Sequence, residues 1–218
     1  MRTHTKEFLE KLTPEQAFDV LEEGNKRFIN NLKINRNLLQ QLNDTANGQY
    51  PFAAILSCMD SRTSTELIFD LGLGDIFSLR VAGNIVNDDI VGSMEYACNI
   101  AGSKLIVVLG HTRCGAIKGA CDDVQLGNLT GLLEKIKPSI EKAGSQNDYL
   151  PVFPEKVAHA NVLHSIEEIL ERSSIIRGLF REGKIGIAGG VYSVETGRVN
   201  FIKKLFAGTV SDTASLAV

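Results

Sequence analysis

Two short clusters carry the residue types most able to do chemistry. One reads Ser57-Cys58-Met59-Asp60-Ser61-Arg62, the other Gly110-His111-Thr112-Arg113-Cys114-Gly115. Two thiols, an imidazole and a carboxylate are donors that zinc accepts, and four of them match its tetrahedral preference. The His-x-x-Cys spacing serves one ion only if a turn separates the two side chains. A cysteine opening a helix also has its thiolate favoured by free N–H groups and the helix dipole. A lone cysteine at a strand end is more often a small core hydrophobe. Two clusters that each combine Cys with a second ligand type are harder to assign to packing. Asp60 and Arg62 would also need partners inside a core, and a site supplies them.

For the clusters to meet, the chain must carry them to one place. Short apolar runs at 52–57, 76–81, 105–109 and 185–192 have the continuous character of strands buried on both faces. Helical patterns fall between them, at about 64–71, 88–101, 115–124, 128–143 and 155–182, with Pro138 expected to kink the fourth. Strands alternating with helices imply an α/β fold, a mainly parallel sheet with flanking helices. A hairpin over 191–201, turning at Glu195-Thr196-Gly197, is expected to close one edge. Ahead of the sheet, Thr13-Pro14-Glu15-Gln16 opens a helix with a capping box. A polar stretch at 30–49, with a short helix at 38–42, reads as an arm, and His4 as part of a mobile terminus. The expectation is one domain over 1–218, with a helical N-terminal arm at 1–50 and a core at 51–218. Both reactive clusters follow strands, and open α/β sheets place their sites at the carboxyl edge.

The composition narrows the partners. Of 218 residues, 44% are hydrophobic, and Lys+Arg 23 against Asp+Glu 26 leaves no basic excess for nucleic acid. No apolar run approaches the roughly 20 residues of a membrane span, and the N-terminus lacks the apolar region of a signal peptide, so a cytoplasmic protein is expected. Four cysteines are too few for a disulfide scaffold. Cys98 and Cys121 fall on helix stripes and read as buried thiols. His159 and His164 are five apart on a helix, face different directions and read as structural or exposed. Gly110–Gly115 lacks the Lys-Ser/Thr of a phosphate loop, and Gly72-Leu73-Gly74 lacks the third glycine of a dinucleotide fingerprint.

Taken together, Cys-x-Asp-x-Arg after one strand, Arg80-Val-Ala-Gly-Asn84, and His-x-x-Cys-Gly after another resemble the β-class carbonic anhydrase family. The match runs from about residue 49 to 121 and continues more weakly through Gly190-Val-Tyr-Ser-Val-Glu-Thr-Gly197. The resemblance implies one Zn2+ per chain held by Cys58, His111 and Cys114, with Asp60 joining only in a closed form. It implies hydration of CO2 to bicarbonate by hydroxide generated at the zinc, which an Asp60–Arg62 dyad orients; a bidentate Arg fork suits that task better than Lys. It further implies that Gln49, Phe77, Tyr96 and Gly115 bind substrate, the aromatic walls often coming from a partner, hence a homo-oligomer, dimer or tetramer. Met59 replaces the usual Ser and Val81 a common Asn. Arg80 and Tyr192 match a bicarbonate site of a pH-switched subset, but Ile55 stands where that subset has Trp, which favours a permanently open site. Hydrolysis of carbonyl sulfide or carbon disulfide on the same fold, and non-catalytic zinc or bicarbonate binding, are the alternatives. Retention of both Asp60 and Arg62 argues against the last.

Overall fold

The computed structural model describes residues 3–144 and 152–207; the rest of the 1–218 span lies outside the described residues. Five strands form one sheet in the order β2-β1-β3-β4-β5. They are β1 (Ala53–Ser57), β2 (Ile76–Arg80), β3 (Leu105–His111), β4 (Gly186–Tyr192) and β5 (Val199–Leu205). The first four run parallel and β5 returns antiparallel to β4, as the apolar runs and the hairpin led one to expect.

Successive strand residues point to opposite faces, and the core divides accordingly. Ala53 and Ile55 of β1 join Leu105, Val107 and Leu109 of β3 on one face. There they meet α1 (Lys6–Lys11), α2 (Pro14–Ile29) and α4 (Thr65–Ile68) through Leu9, Phe18, Leu21 and Ile68. The shorter α3 (Leu38–Thr45) precedes α4 in the chain. On the other face Ala54, Leu56, Ile106 and Val108 pack against α5 (Asp88–Glu95), the π turn after it (Tyr96–Ile100), α9 (Phe153–Arg172) and α10 (Ser174–Arg181). A third cluster lies beyond the strand ends, where α6 (Gly115–Cys121), α7 (Gly127–Glu134) and α8 (Lys137–Ala143) surround Cys58 and Cys114.

Several boundaries differ from expectation for identifiable reasons. The single helix expected over 128–143 is two, because Pro138 lies in the first turn of α8, where its missing N–H costs nothing. The long helix expected over 155–182 breaks at Ser173, whose hydroxyl accepts from Ile176 N–H and donates to Glu95. The helix near 64–71 is only α4, while α3 runs on to Thr45. Near the N-terminus, α1 was not foreseen, and His4 is tied down rather than mobile. Its ring stacks on Phe8 at 4.3 Å and its Nε2 lies 3.3 Å from Asp75, with burial pushing its pKa down.

The residues read as a polar arm are also docked. Gln41 is buried, and Asp70 is held by Arg27 and Arg36 at 2.6 Å each. Helix α2 approaches so closely that a Cβ at Gly24 would stand 1.9 Å from Phe69 O. No helix among the described residues is long and apolar enough to cross a membrane.

Candidate metal centre

The register puts Ser57, Arg80 and Leu109 at one level of the sheet. Cys58 therefore leaves β1 beside the end of β3, which extends two residues further to His111. A turn follows with Arg113 in the left-handed region (φ 55), and this delivers Cys114 to the N-cap of α6. The turn is braced from outside: Glu155 accepts from Arg113 N–H at 2.8 Å, and Thr112 N–H donates to Tyr192 O at 2.9 Å.

The ligand atoms of Cys58, His111 and Cys114 all lie within 4.8 Å of one another, and all three residues are buried. The two sulphurs are 3.9 Å apart. Two thiolates on a tetrahedral zinc, at roughly 2.3 Å each, stand about 3.8 Å apart, so the spacing suits zinc. His111 Nδ1–H donates to Thr112 O at 2.9 Å, which leaves Nε2 as the lone-pair nitrogen. That atom is buried without a partner, as expected of a metal ligand. Cys58 is pushed well down, chiefly by its hydrogen bond with Cys114 and against burial; His111 and Gly83 N–H also help. Cys114 is pushed up by Cys58 and by burial, more than the N–H groups of Ile117 and Ala116 relieve.

Asp60 and Arg62 form the expected bidentate pair. Arg62 Nε reaches Oδ1 at 2.9 Å and Nη2 reaches Oδ2 at 2.8 Å, with Arg62 N–H adding a third bond to Oδ1. These bonds, the Arg62 side chain first, hold the Asp60 carboxyl well below the usual carboxylate range. A cavity of about 270 Å³ opens beside the cluster, lined by Cys58, Asp60 and Gly115 with apolar walls from Ala116, Leu129 and Leu133. A Cβ at Gly115 would meet nothing within 4 Å.

The other residues expected at the substrate are elsewhere in the chain. Gln49 is exposed between α3 and β1. Phe77 and the exposed Tyr96 form an edge-to-face pair at 6.1 Å, and none of the three lines the cavity. Cys98 is buried, which raises its thiol to about 12, whereas Cys121 is only half-buried rather than a core thiol. His159 and His164 bond outside the cavity, to Glu155 O and near Lys142.

Sequence reasoning missed the two cavity-wall leucines, which read as helix core, and the work of Arg80. Its guanidinium holds Cys58 O at 3.2 Å and Asp60 O at 2.5 Å, clamping the loop that carries both residues. The sequence signals for Arg80 were its place in Arg80-Val-Ala-Gly-Asn84 and the bicarbonate-site match, and neither pointed to a backbone clamp.

A parallel sheet with a buried Cys–His–Cys cluster and a locked carboxylate at its carboxyl edge defines a metal-centre α/β protein. Residues 53–199 match the family model described as carbonic anhydrase, and the chain belongs to that family, in its β class. It is 34% identical over 191 residues to carbonic anhydrase 2 of Mycobacterium tuberculosis, covering 85% of this chain and 91% of that protein. It is 32% identical over 195 residues to the carbonic anhydrase of Mycolicibacterium smegmatis, covering 85% and 92%. Among solved structures it resembles the Coccomyxa β-carbonic anhydrase in complex with acetazolamide (TM-score 0.68, 26% identity, 76% of this chain and 78% of that one). It is similarly close to a tetrameric β-carbonic anhydrase of Sordaria macrospora (TM-score 0.67, 27% identity, 72% and 83%).

Proposed function

We propose that the protein is a zinc-dependent carbonic anhydrase interconverting CO2 and bicarbonate, with one zinc per chain on Cys58 Sγ, His111 Nε2 and Cys114 Sγ. The observation that carries this is the meeting of those three atoms beside an Asp60 already tied by Arg62. Three protein ligands leave one tetrahedral position for water or substrate, as catalytic rather than structural zinc requires. Bound zinc supplies Lewis acidity that brings the pKa of water towards ~7.

The remaining chemistry belongs to side chains. Asp60 stays ionised, and Arg62 fixes its carboxylate in one orientation through a bidentate pair of bonds. Its free lone pairs accept a hydrogen bond from the attacking oxygen and so aim that oxygen at the CO2 carbon. Ala116, Leu129 and Leu133 give an uncharged molecule an apolar resting place, and Gly115 keeps the entrance open. The working form is a homo-oligomer in which Gln49, Phe77 and Tyr96 of one copy complete the pocket of another. Their position away from the cavity of their own chain supports this, as does likeness to a tetrameric relative.

Stopped-flow CO2 hydration on metal-quantified protein tests the reading. Turnover should follow zinc content, vanish on chelation and return with zinc, and acetazolamide should inhibit it. Protein holding one zinc per chain that hydrates no CO2 would refute the assignment, and carbonyl sulfide turnover measured alongside would redirect it.

A further inference from the structure

The cluster is held from below by a buried polar chain that starts on α9. Asn161 Nδ2 donates to Gly83 O at 2.8 Å. One turn along, on the same helix face, Ser165 Oγ donates to Asn84 O at 3.2 Å. The Asn161 amide is itself oriented, because Ser139 Oγ of α8 donates to its Oδ1 at 3.1 Å. Ser139, Asn161 and Ser165 are 0%, 1% and 2% exposed, so none of these bonds competes with water.

At the other end of this chain is the metal centre. Gly83 N–H donates to Cys58 Sγ at 3.4 Å. Gly83 has φ 66 and ψ 16, a conformation that L side chains rarely adopt, and a Cβ there would stand 2.8 Å from Ile136 Cδ1. Fixing the carbonyl on one side of this single residue fixes the direction of the N–H on the other. A buried amide is costly unless satisfied, and this one spends its donor on the carbonyl of the residue whose N–H faces the sulphur.

We infer that Asn161, oriented by Ser139, is a positioning residue for the metal centre: it aims the Gly83 N–H at Cys58 Sγ and thereby fixes where that sulphur sits among the three ligand atoms. The inference rests on the zinc reading above and extends it to α9. Loss of outer-shell partners that orient a ligand weakens metal binding by about 10–100-fold.

The experiment compares full-length wild type, Asn161→Ala, Ser139→Ala and Ile169→Ala. Ile169→Ala is a control on the same helix that loosens the core without touching Gly83. Zinc affinity is read by competition with a chromophoric chelator, and the sulphur by the thiolate-to-cobalt charge-transfer band of cobalt-substituted protein. Asn161→Ala should bind zinc about 10-fold or more weakly and shift the band. Ser139→Ala should move both in the same direction by less, and Ile169→Ala should lower Tm while leaving both in place. Unchanged affinity and spectrum in Asn161→Ala, or in Ser139→Ala where the first variant fails to fold, overturns the inference. So does an equal change in Ile169→Ala. A wild type that binds no zinc would instead overturn the proposed function.

Discussion

Asp60 and the four cysteines allow the sharpest tests, because each has a defined neighbour. Asp60 is held by three bonds from Arg62, and its depressed pKa makes it a carboxylate at any pH where the protein works. Asp60→Asn keeps the shape and removes the charge. CO2 hydration should fall by about 10²-fold or more while zinc content, read by elemental analysis, stays at the wild-type value; unchanged turnover would remove Asp60 from the mechanism. The cysteines divide by environment. Cys58→Ser or Cys114→Ser should cost the protein its zinc, whereas Cys98→Ser, in the core cluster packed by α9 and α10, and Cys121→Ser, half-buried on α6, should retain a full complement. Zinc retained by Cys114→Ser would break the ligand assignment. These residues were legible because cysteine, histidine and carboxylate at two strand ends have few structural reasons to coincide. Asn161 and Arg80 were not legible. Each acts by hydrogen-bonding a backbone carbonyl, and any residue type leaves the same carbonyl in the sequence.

At the scale of elements, periodicity exposed the sheet far better than the segments that dock on it. Strands β1, β3 and β4 announce themselves as apolar runs, and the hairpin by its Thr-Gly turn. The 30–49 stretch looked detached because its attachment is ionic and distant in sequence. Arg27 and Arg36 converge on Asp70, itself in the left-handed region at φ 47. Burial alone would raise the Asp70 pKa; the bonds from Arg27 and Arg36 outweigh it and leave the pKa lowered. Arg36 is 8% exposed in its side chain, so Asp70→Asn strands a buried cation and should cost about 3 kcal/mol. A group with a depressed folded pKa stabilises fully above its unfolded value, near ~3.9, and loses that contribution as pH falls through the folded value. Melting curves of wild type and Asp70→Asn should therefore be well separated at pH 7 and approach each other below about pH 4. A gap that stays constant down to pH 3 would show that the ion pair contributes nothing beyond packing.

For the whole molecule, one copy presents a metal centre without the full set of residues expected around substrate. Gln49, Phe77 and Tyr96 stand outside the cavity, and α3 carries a second exposed feature. On α3, Leu38, Leu39 and Leu42 are 54%, 74% and 56% exposed. Leu38 and Leu42 lie four residues apart on one face, and we propose this apolar face as the contact between copies of the chain. A second copy of the chain is the natural occupant, because closed symmetric self-association is the commonest assembly and Gln49 follows α3 by four residues. Docking α3 on a neighbour therefore carries Gln49 towards that neighbour. Replacing Leu38 and Leu42 together by Glu makes burial of that face prohibitive while leaving the cluster at Cys58, His111 and Cys114 untouched. Sedimentation should then report a monomer that still holds one zinc, with CO2 hydration reduced by about 10²-fold for want of positioning groups. A fully active monomer would mean that each chain completes its own site, and a variant that stays assembled would move the interface away from α3.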